Sequence, residues 1–375
     1  MAQTRKKKVN KGRKKILLFG AEVLFLIILL VAAYLFRIVN KIEFHNLDSS
    51  EAGINTDLAE DTIKTMGRYT NIALLGLDNR SGNQYNTGRA DTIMIASIDN
   101  KTKKVKLVSV FRDTCLCIDG QYRKANSAYA KGGPKQVVQM LNSNLDLNIT
   151  EYVCVDWAAM VEVIDALGGL DLEITDAERK QINKYKKDID KVTGLTTPEV
   201  TKSGLVHLDG TQATSYARLR KLAGDDFKRA SRQRIVLQAM LEKAKKADIG
   251  TLLAIVNSVV DDISTSLTLD QLLGLAKSVR SYSLVSTTGF PFALTTKIIQ
   301  GGDMVIPGDL STNVVKLHEY LFGTVDYQPS KTVTEISNSI VQLTGITKDS
   351  NLIDSTKYNE AVGANGTDNI QKGTE

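Results

Sequence analysis

A run of 21 residues near the start of the chain is the feature that most limits how this sequence can be arranged. Residues 16–36, ILLFGAEVLFLIILLVAAYLF, are apolar except for Glu22. A helix rises about 1.5 Å per residue, so this run is long enough to cross a bilayer. Residues 1–15 hold eight Lys and Arg and no acidic residue, and such a flank stays on the cytoplasmic side. The sequence therefore predicts one N-terminal anchor, with the remainder of the chain outside the membrane.

A cleaved signal peptide is the alternative interpretation of the same run. Signal peptides have an apolar region of about 7–15 residues followed by a cleavage site of small residues. This run is longer and its cleavage signal is poor, so the uncleaved anchor is favoured. Without the eight N-terminal cations, 40 basic residues face 42 acidic ones. A body of that balance is not a general polyanion surface, and we expect no nucleic-acid partner.

Beyond the anchor, short apolar runs alternate with segments of helical periodicity. The pattern predicts strands at 71–78, 91–99, 103–114 and 151–156, and helices at 133–145, 157–169, 207–220 and 226–247. Asp209 is a candidate N-cap, and Asp225 or Asp226 is expected to begin the strongest helix. Alternation of this kind indicates an α/β sheet covered by helices on both faces.

The expected domain organisation has five parts. They are a basic cytoplasmic tail (1–15), a transmembrane anchor (16–36), a polar extracellular connector (37–69), a main folded domain (70–325) and a polar tail (326–375). The tail is rich in Thr, Asn, Ser and Gly, which predicts disorder. Residues 178–203 are polar and Lys-rich and are expected to run over the surface.

The three cysteines, Cys115, Cys117 and Cys154, are too few for a disulfide framework and lack paired metal-ligand spacing. They are either buried small apolar side chains or include one disulfide from Cys154 to one of the other two. The three histidines are scattered, so the sequence indicates neither a zinc-protease helix nor a His-based triad.

Four clusters of charged residues fall at predicted strand ends or helix starts, where an α/β fold places ligands. They are Asp78-Asn79-Arg80, Arg89-Ala90-Asp91, Arg112-Asp113, and the stretch that holds Arg218, Arg220, Asp225, Asp226, Arg229, Arg232 and Gln233. A guanidinium matches two phosphate oxygens at once and stays charged. The i, i+3 and i+4 spacing of Arg229, Arg232 and Gln233 predicts one shared face near a helix start, which favours an anion.

Each cluster taken alone also has a purely structural interpretation. Asp91 could cap a turn, Arg112 and Asp113 could form a surface ion pair, and the arginines that follow residue 228 could form a solvated helix face. Asp78 and Asp91 could instead hold Mg²⁺, a cation that takes one or two carboxylates together with phosphate oxygens. The joint pattern of the clusters favours a phosphate site.

Seven segments carry a resemblance to a known family: GLDNR (76–80), GRADT (88–92), SVFRDT (109–114), KANSAYAKGG (124–133), DALGGLDLEI (165–174), HLDGTQATSYARLR (207–220) and GDDFKRASRQR (224–234). In this order, across roughly residues 70–245, they resemble the LytR–CpsA–Psr family of enzymes, which attach polymers to the bacterial cell wall. Ala90 and Phe111 stand where that family usually has Ser and Pro. Neither difference removes an ionisable group.

The resemblance implies an α/β/α sandwich with a central mixed sheet and a deep apolar pocket. It also implies transfer of a glycopolymer, of teichoic acid or capsule type, from undecaprenyl diphosphate to a peptidoglycan sugar hydroxyl through a phosphodiester. The enzyme would be anchored in the cell membrane of a Gram-positive-type envelope, with its catalytic domain extracellular. Pyrophosphatase action on the same lipid, and a non-catalytic module that binds polyprenyl-diphosphate-linked glycans, are the alternatives.

The resemblance further assigns roles to residues of this sequence. Asp78 and Asp91 would hold Mg²⁺, with Mn²⁺ as a substitute. The diphosphate contacts would be Arg89, Arg112, Arg218, Arg220, Arg229, Arg232 and the supporting Gln233. The candidate catalytic residues are Arg112, Asp113, Arg218, Asp225 and Asp226.

Overall fold

A computed structural model of the protein describes residues 43–44, 47, 50–78, 88–220, 225–258 and 263–358. The chain divides into two compact units, residues 1–43 and 44–375. Across the described ranges, no helix is both long enough and apolar enough to cross a bilayer. The anchor predicted at 16–36 lies outside these ranges.

A mixed sheet of seven strands lies at the centre of the larger unit. Its order is β1-β10-β7-β2-β3-β4-β11, with β1 at Glu43–Phe44, β2 at Tyr69–Leu77, β3 at Ala90–Asp99, β4 at Lys104–Val110, β7 at Glu151–Val155, β10 at Ile263–Thr265 and β11 at Ser283–Phe290. Strands β2, β3 and β4 pair antiparallel, whereas β2 pairs parallel with β7 and β4 pairs parallel with β11. The predicted α/β class with a mixed sheet is confirmed.

One face of this sheet carries the main hydrophobic core. Side chains alternate along a strand, so Leu75 and Leu77 of β2 point to this face together with Tyr152 and Cys154 of β7. Three helices cover it: α2 (Ser127–Leu145), α9 (Leu310–Phe322) and α10 (Lys331–Thr344). Cys154 is fully buried, and all three cysteines are free thiols. The interpretation of Cys154 as a buried small apolar side chain is therefore confirmed.

The other face is covered by a second set of helices, which completes an α/β/α sandwich. They are α3 (Trp157–Ala166), α5 (Gly210–Ala217), α6 (Asp225–Lys246), α7 (Ile249–Ser258) and α8 (Leu269–Ser278). Helix α5 begins as predicted at Asp209, whose side chain accepts a hydrogen bond from the backbone N–H of Gln212 and completes a capping box. Helix α6 begins at Asp225.

A smaller core lies beside this second helical layer. It is built on the hairpin of β8 (Leu170–Ile174) and β9 (Gly204–Leu208), with α4 (Asp176–Thr193) between them in sequence. The prediction that 178–203 only runs over the surface is wrong, because Ile182 and Ile189 of α4 are fully buried. Thr175 and Glu178 cap this helix reciprocally. Its many lysines lie mostly on the outer faces.

The remaining helix and strands of the described residues contribute mostly to the main core. They are α1 (Glu60–Met66), the hairpin of β5 (Cys115–Ile118) and β6 (Gln121–Lys124), and a three-stranded sheet of β12 (Ala293–Ile299), β13 (Gly302–Pro307) and β14 (Ile353–Asp354). The expected connector is shorter than 37–69, because Ala52, Leu58 and Met66 are buried in the main core.

The predicted disorder of residues 326–375 is wrong for 331–344, which form helix α10. Ser330 caps this helix by accepting from the N–H of Val333 at 3.1 Å, and Gly345 ends it with a left-handed φ of 70°. Val333, Ile336 and Ile340 recur at helical spacing and are buried in the main core. The segment is polar on average, so its composition did not reveal this apolar stripe. Residues 359–375 lie outside the described part of the chain.

Candidate functional site

A cavity of about 690 Å³ lies between the second face of the sheet and the helices that cover it. Most of its wall is apolar, with Leu74, Met94 and Val153 from the strands and residues such as Met160, Met240 and Leu272 from the helices. The part of the wall where β2 ends and β3 begins is charged, and it contains Asp78, Asp91, Arg218, Arg220, Arg229 and Gln233. A cavity of this kind suits a ligand with an apolar body and an anionic group.

The strand register explains why two aspartates meet at this edge. Leu77 of β2 pairs with Ala90 of β3, so Asp78 and Asp91 lie on neighbouring strands beside that pair. Gly76 pairs with Thr92, and a Cβ atom on Gly76 would lie 2.9 Å from the Thr92 side chain. A side chain at position 76 would therefore displace Thr92, which also lines the cavity.

Asp91 organises two arginines. Arg112, which follows β4, donates from Nη1 to Asp91 Oδ1 at 2.8 Å, and Arg220 donates to Asp91 Oδ2. Burial acts to raise the pKa of Asp91, but the charges of Arg112 and Arg220 outweigh it and hold that pKa below its ordinary value. Asp91 is therefore ionised and fixes both guanidinium groups at the charged end of the cavity.

Asp113 and Asp226 form a carboxyl pair next to Arg112. Arg112 Nε lies 3.4 Å from an oxygen of each carboxyl, and Lys124 Nζ lies 2.9 Å from Asp113 Oδ1. Burial and the hydrogen bond with Asp226 raise the pKa of Asp113. Burial also acts to raise the pKa of Asp226, but the charge of Arg229 and the hydrogen bond from Asp113 lower it overall. The two pKa shifts have opposite signs, so Asp113 is the carboxyl that binds a proton more readily and Asp226 is the one that favours the ionised form.

Arg229 is the most deeply buried cation of the cavity wall, with 4% of its surface exposed. Its Nη1 lies 3.1 Å from Asp226 Oδ1, and its Nη2 donates to the backbone oxygen of Asp91 at 3.3 Å. Burial lowers the pKa of Arg229 to about 10. Within the described residues, its Nε has no hydrogen-bond partner. A buried cation with an unsatisfied donor beside a cavity is a strong attractor for an anion.

The cluster of charged side chains that includes Arg112 carries more positive than negative charge. Four cations (Arg112, Lys124, Arg220 and Arg229) surround three carboxyl groups (Asp91, Asp113 and Asp226). The excess is one positive charge, and it stays the same when Arg218 and Asp78 of the cavity wall are both counted. Phosphate groups, which accept several charge-assisted hydrogen bonds at once, match this excess.

Arg218 is held by aromatic side chains. It is the C-cap residue of α5, and its guanidinium carbon lies 3.3 Å from the ring centroid of Trp157 and 5.7 Å from that of Tyr185. Such cation–π contacts orient a guanidinium without neutralising it. The sequence predictions for the site included neither aromatic residue. The available signal was Trp157, the single Trp of the chain, placed two residues after a strand that ends at the charged edge.

Arg232 does not line the cavity. Its Nε donates to Glu178 Oε1 of α4 at 2.7 Å, and its Nη1 donates to the backbone oxygen of Leu219. The predicted shared face therefore holds for Arg229 and Gln233 but is wrong for Arg232. Residues i+3 and i+4 lie on opposite sides of residue i, about 100° apart around the helix, and this difference turns Arg232 toward α4.

Four further predicted residues are not among those that line the cavity: Arg89, Arg112, Asp113 and Asp226. Arg112 and Asp226 contact the lining residues Asp91 and Arg229, respectively. Arg89 is exposed and directly precedes β3. Asp225 begins α6, and its side chain lies outside the described part of the chain. Its predicted catalytic role stays a prediction.

The predicted metal site consists of two carboxylates, Asp78 and Asp91. No cluster of three or more His, Cys, Asp or Glu suited to a metal occurs among the described residues. Asp78 and Asp91 nevertheless line the same end of the cavity, and Mg²⁺ often takes one or two carboxylates, with water and substrate phosphate as its other ligands. The pair therefore fits a cation that is shared with a bound phosphate, and it does not form a site built from protein ligands alone.

An α/β/α sandwich whose apolar cavity ends in arginines defines a class of protein that binds lipid-like anions. The chain belongs to the LytR_cpsA_psr family, whose model matches residues 42–316. The family membership predicted from the seven segments is confirmed.

Similar proteins have been named for their activity on teichoic acid. The polyisoprenyl-teichoic acid–peptidoglycan teichoic acid transferase TagV of Bacillus subtilis (strain 168) is 25% identical over 334 residues, covering 85% of this chain and 81% of TagV. The corresponding transferase TagU of Enterococcus faecalis (strain ATCC 700802 / V583) is 28% identical over 279 residues, covering 73% and 86% of the two chains. A solved structure described as TagT bound to LI-WTA matches with a TM-score of 0.57 and 24% identity, covering 75% of this chain and all of that one. That likeness supports the fold.

Proposed function

We propose that this protein transfers a glycopolymer of teichoic acid or capsule type from a polyprenyl diphosphate carrier, undecaprenyl diphosphate, to a sugar hydroxyl of peptidoglycan. The observation that carries the proposal is the cavity that joins an apolar wall to the buried, incompletely paired Arg229. The apolar wall would bind the polyprenyl chain, and the excess of positive charge would bind the diphosphate. The names of the related transferases support the same donor and acceptor.

The reaction is a displacement at the phosphorus atom that carries the glycan. The acceptor hydroxyl oxygen forms the new P–O bond, the bond to the bridging oxygen of the diphosphate breaks, and polyprenyl monophosphate leaves. Arg112, Arg220 and Arg229 would neutralise the negative charge on the phosphoryl oxygens as the bond to the leaving group breaks. Asp226, the carboxyl of the pair that favours the ionised form, is the proposed acceptor of the hydroxyl proton.

We propose Mg²⁺, with Mn²⁺ as a substitute, as the cofactor held by Asp78 and Asp91. A bound divalent cation would supply further neutralisation of the diphosphate. Asp91 would then have two functions, because it also holds Arg112 and Arg220 in place.

The location that suits this reaction is the outer face of the cell membrane, with the anchor at 16–36 and the N-terminus in the cytoplasm. Both the lipid carrier and peptidoglycan can be reached from there. The topology can be tested by protease treatment of cells whose wall has been removed. Cleavage of the domain in intact membranes is expected, and protection until the membranes are lysed would contradict the proposed topology.

The activity is tested with the full-length chain, a purified polyprenyl-diphosphate-linked glycan, and peptidoglycan. Glycan phosphate on muropeptides is expected, with loss of the product in Asp91→Asn and on removal of divalent cations by a chelator. Free glycan phosphate alone would indicate a pyrophosphatase. Donor that is bound but never consumed, with either Mg²⁺ or Mn²⁺, would indicate a binding module.

A further inference from the structure

Helix α4 contributes one face to the cavity wall. Gln181, Lys184, Tyr185 and Asp188 line the cavity, and their spacing of i, i+3, i+4 and i+7 places them along one side of the helix. Lys184 and Asp188 are exposed, whereas Gln181 and Tyr185 are partly buried. This side of the cavity therefore opens to solvent. We call these four side chains the α4 face.

The polar groups of the α4 face differ from their neighbours on the same helix. Arg179 pairs with Asp176 at 2.9 Å, Asn183 exchanges hydrogen bonds with the backbone of Val200, and Lys186 donates to the backbone oxygen of Thr197. In contrast, the amide oxygen of Gln181 is buried and has no hydrogen-bond partner among the described residues. An unpartnered buried amide on a cavity wall indicates that a ligand satisfies it.

The α4 face carries one cation, Lys184, and one carboxylate, Asp188, so it lacks the positive excess that makes the arginine end of the cavity suit phosphate. A phosphate group offers only acceptors at neutral pH, so the carboxylate of Asp188 would repel it. A sugar hydroxyl both donates and accepts, so it can satisfy the Gln181 amide in either orientation and can also donate to Asp188. The ring of Tyr185 offers an apolar surface on which the C–H face of a sugar can pack.

The α4 face lies next to the charged end of the cavity, because the Tyr185 ring is 5.7 Å from the guanidinium carbon of Arg218. In a lipid-linked glycan, the first sugars directly follow the diphosphate. We propose that the α4 face is a saccharide subsite that binds the first sugar residues of the donor, with Gln181 and Asp188 as its hydrogen-bonding groups. This inference rests on the proposed function.

The test compares the binding of two lipids to the full-length chain in detergent. One is bare polyprenyl diphosphate, and the other is the same lipid with an N-acetylhexosamine disaccharide. The wild-type protein is expected to bind the glycosylated lipid about tenfold or more tightly, because each neutral hydrogen bond contributes about a two- to tenfold gain. In the variant with both Gln181→Ala and Asp188→Ala, this preference is expected to fall at least fivefold, with the affinity for the bare lipid unchanged within about twofold.

The matched control is Lys187→Ala, which removes an exposed cation of α4 that does not line the cavity and should alter neither affinity. If the double variant does not fold, the single variants Lys184→Ala and Asp188→Asn, both at exposed positions, take its place in the binding measurement. Equal losses for both lipids, or a preference that survives in all variants, would overturn the saccharide subsite while leaving the proposed function intact. Failure of the wild-type protein to bind either lipid would refute the proposed function itself.

Discussion

Replacement of Arg229 by Met should separate ligand binding from stability. The side chain is 4% exposed and its Nε is unsatisfied in the described residues, so the folded protein holds a charge that burial disfavours. Because burial lowers the pKa of Arg229 to about 10, the disfavoured charge corresponds to about 3 kcal/mol. The folded-state pKa is lower than the unfolded one, so this cost is present at every pH well below 10 and is relieved only as pH rises through that value.

Met has a similar length and no charge, so the substitution removes this cost. It also removes the ion pair with Asp226, but Asp226 keeps Arg112 at 3.4 Å. We therefore expect the free energy of unfolding without ligand to fall by no more than about 1 kcal/mol, and it can rise. Hydrogen bonds from a charged donor contribute about 1.5–3 kcal/mol each. Loss of the Arg229 contacts should therefore raise the Kd for polyprenyl diphosphate about 100-fold.

The assay is urea denaturation with and without polyprenyl diphosphate at about 100 times the wild-type Kd. Ligand should stabilise the wild-type protein by about 2.7 kcal/mol and Arg229→Met by only about 0.4 kcal/mol. The matched control is Arg232→Met, three residues further along the same helix. It leaves the Glu178 carboxylate without its cation partner and should cost about 3 kcal/mol of stability while the ligand effect remains. The reasoning is refuted if Arg229→Met keeps the full ligand effect, or if Arg232→Met loses it.

Three further predictions concern other parts of the molecule. Asp113→Asn should stabilise the ligand-free protein at pH 7 in urea titrations, because the folded state raises the pKa of this carboxyl and disfavours its ionised form; the gain should shrink as pH falls toward 4, and a gain that grows instead would contradict the raised pKa of Asp113. Trp157→Leu should weaken diphosphate binding about three- to thirtyfold by calorimetry through loss of the contact with Arg218, whereas Trp157→Phe should keep most of the affinity; equal losses would argue against a cation–π role. Ile340→Ala should cost about 2–4 kcal/mol in thermal unfolding, because the side chain is 1% exposed, and should leave lipid affinity unchanged; no loss of stability would mean that α10 is not docked in solution.

Local signals in the sequence were sufficient for much of the fold. The strands of the sheet are short apolar runs that end in turns, and the start of α5 was predicted at Asp209 because capping is decided within a few residues. The convergence of Asp91 and Arg112 could also be predicted, since Asp91 lies at the start of β3, Arg112 follows the end of β4, and antiparallel pairing brings these two ends together. Each of these features depends on neighbours in sequence or on the general geometry of sheets.

The features that the sequence did not reveal depend on distant partners. The pairing of Arg232 with Glu178 joins residues 54 positions apart, and helical spacing alone could not show which side of α6 meets α4. The contact of Trp157 with Arg218 likewise joins two helices. Helix α10 was missed for a different reason. Its stripe of Val333, Ile336 and Ile340 is short, and the polar residues around it lower the average hydrophobicity of the segment.

The position of α9 matters for any shortened version of this protein. The match to the family ends at residue 316, whereas α9 continues to Phe322. Leu317 and Leu321 of α9 are fully buried and pack in the same core as α10. A fragment that ends at residue 316, the limit of the family match, would therefore end inside α9 and would lack α10. The face of the sheet that carries the main core would then be exposed to solvent. A fragment that preserves this core extends at its C-terminal end to about Ser355, whose backbone N–H bonds to the backbone oxygen of Phe292 at 2.8 Å. In this chain, the C-terminal end of the family match and the C-terminal end of the folded core are about 40 residues apart.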